Sequence, residues 1–192
     1  MGEKTPEPIW HSVKKDGAIE LRDYDPMIIA ETTVTGERYA AINAGFRILI
    51  AYISGDNTAQ TKIAMTAPVT QESKEAQGQK IPMTAPVTQQ ESETKNAWQI
   101  RFVMPSAYAL DSLPAPSDTR IHFVQMPALR VAVIRFSGFN TDGNLSDHLT
   151  ILMNWLNKQN IVPMGPPSYA FYDPPWKLPF LKRNEIMIRI SE

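Results

Sequence analysis

The chain has 192 residues, 43% of them apolar, which is enough to fill the core of one domain of ordinary size. Its 19 basic and 20 acidic side chains nearly cancel, to a formal charge of −1, so the electrostatic footprint of a nucleic-acid binder is missing. The lack of cysteine excludes disulfides, thiolate metal centres, iron–sulfur clusters and thioether-linked prosthetic groups, and no run approaches the roughly 20 apolar residues of a membrane span.

Met1-Gly2 and the polar, proline-containing stretch Glu3 to Pro8 lack the apolar core of a signal peptide. The expected compartment is therefore the cytoplasm, or the periplasm if an export signal has been removed. Residues 1–17 read as an N-terminal extension, and residues 18–192 as a single domain. Residues 19–22 and 27–35 read as two strands turning at Asp25-Pro26. After Gly36, Tyr39, Ile42, Phe46, Leu49 and Ile53 recur at helical spacing, and Ser54-Gly55-Asp56-Asn57 stops the helix. Trp98, Ile100, Phe102 and Met104 alternate as in a strand, which Pro105 ends. Two more strands, 121–126 and 130–136, flank Pro127. A second helix places Leu145, Leu149, Leu152 and Leu156 on one face, and the chain closes with strands near 169–172 and 186–190.

Two repetitions organise these elements. The run from Lys62 to Gln71 recurs, nearly unchanged, from Lys80 to Gln89, which suggests adjacent strands joined by the polar loop 72–79. More broadly, Val34-Thr35-Gly36 precedes the first helix as Phe136-Ser137-Gly138 precedes the second, and further strands follow each helix. The expected fold is α+β: a distorted antiparallel β-barrel made of two β-α-β-β repeats, closed and pseudo-twofold, flanked by two α-helices.

The first helix is apolar on more than one side. Ala41, Ala44, Ile48, Ala51 and Tyr52 lie off the 42/46/49/53 stripe, and only Asn43 and Arg47 interrupt the surface. Such a helix is either deeply buried or lends its second face to a ligand or partner. The connection from Asp173 to Leu181 is unusually apolar; its Trp176 and Phe180 either plug the barrel or wall a ligand site, where Lys177 could meet an anion. Of the three histidines, 11, 122 and 148, none forms a paired metal motif. His148, on a helix face with Trp155, is a weak candidate ligand against an ordinary surface role. Met65 and Met83 in the repeat read as core filler before axial ligands. Glu185 is the best lone acid: it either pairs with Arg189 at the surface or points inward, where burial demands a partner or a cationic ligand.

Several segments together resemble the SOUL family of heme-binding proteins. They are Ile19 to Tyr24, Tyr52 to Asn57, Lys62 to Val69, Arg135 to Gly138, Tyr172 to Pro175 and Arg183-Asn184-Glu185. The resemblance implies the same duplicated barrel. It also implies reversible, non-covalent binding of heme or another porphyrin at an apolar surface beside the first helix, with basic side chains meeting the propionates. Asn43, Phe46, Arg47, Leu49, Ile50, Met65, Trp176 and Lys177 would form that surface. In this chain Asn43, Ile48 and Ala51 stand where some members carry Arg or Lys, and Asp23 where some carry His. The implied protein is a binder rather than an enzyme, without a nucleic-acid partner, and a monomer or weak homodimer. The barrel also resembles small-molecule effector-binding domains of bacterial regulators; on that alternative Glu185 is the ligand-binding acid. An enzyme acting on heme iron or hydrolysing a small molecule is a third reading, for which no base or metal ligands are evident.

Overall fold

The computed structural model describes residues 7–59, 62, 63, 65, 67–73, 96–173 and 176–191. In chain order the elements are β1 (Trp10–Asp16), β2 (Ile19–Tyr24), β3 (Met27–Thr35), α1 (Arg38–Ile53), β4 (Val69–Ser73), β5 (Ala97–Val103), β6 (His122–Met126), β7 (Leu129–Phe136), α2 (Asp142–Lys158), β8 (Ser168–Phe171) and β9 (Asn184–Arg189). All strands pair antiparallel in one sheet of order β1-β2-β7-β9-β8-β4-β5-β3-β6.

The order contains the duplication. The unit β3-α1-β4-β5 and the unit β7-α2-β8-β9 occupy mirror positions about the central β8–β4 pair, and β2 and β6 extend them equivalently. Between the described strands the sheet is open, with β1 and β6 at its ends, so it is a half-barrel rather than the closed sheet expected. Two short links curl it. Only Asp25 and Pro26 separate β2, second in the order, from β3, second from the other end; only Pro127 and Ala128 separate β6 from β7. Links of two residues cannot span a flat sheet, because a residue reaches at most about 3.6 Å.

Strand alternation divides the two faces. One lateral row, Ile134, Ile186, Tyr169, Gln71 and Ile100, passes by direct register from β7 to β5 and lies on the helical side. There α2 buries Leu145, Leu152 and Leu156 against Ala132, Ile134 and Ile188. In the other half α1 buries Leu49, Tyr52 and Ile53 against Ile100 and Phe102. Gly45 allows this approach: a Cβ there would lie 2.7–2.9 Å from side-chain atoms of Ile100.

The strand β1 falls within the stretch read as an N-terminal extension. His11-Ser12-Val13-Lys14-Lys15-Asp16 is exposed throughout, and such an edge strand has no apolar alternation to announce it. The first copy of the repeat becomes a strand only from Val69, after a cis Ala67–Pro68 bond. The second copy, with Met83, lies outside the described residues.

Candidate functional site

The outer surface of α1 is graded. Ala41, Gly45, Leu49, Tyr52 and Ile53 are buried. Ile42, Phe46 and Ile50, one turn apart, are half-buried and pack on the same core, as does Met65 from the following segment. The Phe46 ring lies 5.5 Å from that of Phe102, tilted at 59°. Asn43 and Arg47, displaced by one residue from Ile42 and Phe46, are exposed; Asn43 donates to the Tyr39 carbonyl at 2.8 Å. The helix thus presents a half-exposed apolar ridge beside an exposed cation. Leu49, grouped with these residues from the sequence, is completely buried, so its side chain supports the ridge from within.

Trp176 and Lys177 stand apart from this ridge in their described contacts. Trp176 is 84% exposed, and Leu178, Phe180 and Leu181 are exposed with it, so the loop does not plug the barrel. The loop is tied to the segment before α2, where the Gly138 amide donates to the Pro179 carbonyl at 2.9 Å. Lys177 donates to Asp173, which draws it away from any exogenous anion. Burial tends to raise the Asp173 carboxyl, but the hydrogen bonds from Lys177 and the Arg183 amide outweigh it and hold the group below its usual range.

His148 is committed locally. Its Nδ1 is 2.8 Å from the Asn144 carbonyl, and its ring stacks on Phe136 at 4.1 Å. Among the described residues no group of three or more His, Cys, Asp or Glu could hold a metal ion.

Glu185 points inward, and its partners are not Arg189. The side chain is fully buried and accepts from Arg22 Nη1 at 2.9 Å, Arg22 Nη2 at 3.2 Å, Arg183 Nε at 3.0 Å and Tyr172 Oη at 2.7 Å. Arg22 also donates to Glu20, and Arg183 to Glu7, so acids and guanidiniums alternate from Glu20 through Arg22, Glu185 and Arg183 to Glu7. Burial pushes the Glu185 carboxyl up, yet the Arg22 bonds and charge, the Arg183 charge and the Tyr172 hydroxyl more than offset it and keep the group below its usual range. A carboxylate so occupied has no vacancy for an added cation. Nothing in the sequence could have paired Arg22 with a residue 163 positions away.

The description of the matching family model is SOUL heme-binding protein, and the match runs over residues 5–78 and 71–189. The chain belongs to the SOUL family. This SOUL protein is similar to heme-binding protein 2 of Homo sapiens, 29% identical over 170 residues that make up 88% of this chain and 75% of the relative. Heme-binding protein 2 of Mus musculus is 30% identical over 183 residues, 94% of this chain and 80% of the relative. In three dimensions the SOUL chain shares its fold with the EcmrR C-terminal domain (TM-score 0.59, 14% identity, 91% of this chain and 97% of that one). It also shares the fold with an uncharacterised conserved protein from Listeria innocua (TM-score 0.60, 10% identity, 90% and 92% covered).

Proposed function

We propose that this SOUL protein binds heme or a related tetrapyrrole, reversibly and without a covalent bond, on the ridge of α1. The observation that carries the reading is the arrangement of Ile42, Phe46 and Ile50 as a half-exposed apolar strip flanked by the exposed Arg47, in a chain whose relatives are named for heme binding. A planar apolar ring covering Phe46, Ile50 and Met65 would remove surface the core leaves partly wet, and Arg47 would face a propionate. Asn43 would border the ring, Leu49 would support it from beneath, and Trp176 and Lys177 would join the site only by movement of their loop.

The cavity on the inner face of the sheet is small beside a macrocycle. Its volume is about 130 Å³, close to the roughly 150 Å³ that accommodates benzene. Binding on this outer surface would draw its affinity chiefly from apolar contact, with Arg47 orienting the ring. The test is titration of hemin followed at the Soret band. A saturable shift at micromolar protein, weakened several-fold in Arg47→Gln, supports the reading; no saturable shift, or one indifferent to both Arg47→Gln and Phe46→Ala, overturns it.

A further inference from the structure

The cavity on the face of the sheet turned away from the helices is separate from the α1 ridge. It lies where the two short links bring the sheet ends together, so that Tyr24 and Met27 from one corner and Met126 and Leu129 from the other contribute to its wall. We propose that it binds a small monocarboxylate with a compact apolar body, a molecule of the size of benzoate, whose carboxylate meets Arg189.

Size and lining set the apolar half of the ligand. A volume of about 130 Å³ suits one six-membered ring or a branched chain of similar bulk. The wall is chiefly apolar and includes three methionines, Met27, Met126 and Met187, whose unbranched thioethers adapt to a ligand's outline. Ligand sites commonly combine such an apolar wall with a few convergent polar groups.

Charge sets the other half. Glu72, Arg101 and Arg189 are the acidic and basic lining residues. Arg101 is fully engaged: it donates to Glu31 Oε2 at 3.0 Å, to Glu72 Oε2 at 2.7 Å and to Gln99. Glu72 is answered by that guanidinium, and burial pushes its carboxyl upward, towards the neutral form. Arg189, exposed and directly opposite Val131 in the sheet, receives the Met164 amide at its carbonyl, and its guanidinium, whose charge reaches Glu72, makes no side-chain hydrogen bond or ion pair among the described residues. The cavity's open hydrogen-bonding fork is therefore the Arg189 guanidinium, and Thr70 and Ser168 bring hydroxyl groups to the same wall. A guanidinium fork beside hydroxyl groups matches a carboxylate. An ammonium ligand would meet Arg189 without a free acid to balance it.

The experiment is titration of the full chain with benzoate, benzylamine and benzyl alcohol, followed by the methyl signals of ¹³C-labelled methionine and assigned by single Met→Leu variants. Benzoate is expected to shift the Met27, Met126 and Met187 methyls saturably, with Arg189→Gln weakening it about tenfold, the equivalent of one lost interaction of about 1.4 kcal/mol. Benzylamine and benzyl alcohol are expected to bind at least as weakly as benzoate binds that variant. Absence of saturation by about 10 mM benzoate, equal affinity for benzylamine, or shifts confined to Met65 would each overturn the proposal. Because hemin is read at the Soret band and benzoate at methyl signals, failure of one reading is distinguishable from failure of the other.

Discussion

The two faces of the curled sheet have been given opposite chemistry. Under the helices the rows are apolar apart from the buried Gln71, which donates to the Arg38 carbonyl, and they are closed by Leu152 and Leu156 in one half and by Leu49 and Tyr52 in the other, each at most 1% exposed. On the inner face the strands carry ion pairs: Glu20, Arg22, Glu185 and Arg183 towards one side, Glu31, Arg101 and Glu72 towards the other. The helical face takes its stability from area removed from water, whereas the buried charges of the inner face depend on keeping their partners. The lesson is that the same alternation of residues builds a tolerant core on one side and an exacting network on the other.

The sharpest way to break the network is Glu185→Ala. It leaves Arg22, only 3% exposed, and Arg183 without their shared carboxylate, so a loss of about 3–5 kcal/mol is expected in urea unfolding. The apolar face should respond less steeply to truncation than its burial suggests only if it can collapse. Leu156→Ala is accordingly expected to cost about 3 kcal/mol, and a cost below about 1 kcal/mol would mean that α2 settles into the gap. Overpacking tests the other half: Gly45→Ala drives a methyl into Ile100 and should destabilise by about 1–3 kcal/mol. An unchanged unfolding midpoint there would show that α1 is free to lift from β5.

Acid distinguishes the faces as well. The folded Glu185 carboxyl lies below its usual value of 4.5, so its contribution is complete above that pH and is lost as pH falls through the lower folded value. Glu72 has the reverse sign: its raised carboxyl makes ionisation costly in the fold, and that cost disappears on acidification. Stability measured by denaturation between neutral pH and pH 3 should therefore fall less steeply in Glu185→Gln than in the parent and more steeply in Glu72→Gln. The smallest effect belongs to the outer ridge. Arg47→Gln alters an exposed side chain and should leave stability within about 0.5 kcal/mol, while weakening hemin in the titration above.

Local periodicity was sufficient for what lies under the helices. The stripes 42/46/49/53 and 145/149/152/156 announce α1 and α2, and the Gly36 and Gly138 junctions announce the duplication, because burial against a sheet writes itself into spacing. The inner face left no such trace. Glu185 could be suspected as a buried acid, but its arginines come from β2 and the segment before β9, and only the folded register brings them together. Lys177 looked available because its counter-charge, Asp173, is equally plausible as a loop residue. The cavity was invisible for a related reason: its walls come from strands distant in sequence and meet only through the two corner links. Met187 and Arg189 were legible as strand residues, not as neighbours of Met27 and Met126.

The segment ahead of β1 touches both inner features at once. Pro8 forms part of the cavity wall, Glu7 caps Arg183, and the Ile9 carbonyl accepts from the Asp25 amide at 3.1 Å beside the first corner. Trimming the polypeptide back to Trp10 would strip the Arg183 guanidinium of one of its two carboxylates and unroof the hollow in one step. Two preparations differing by these few amino acids should therefore differ in both solvent access and acid tolerance, even though every strand and helix named above survives in each.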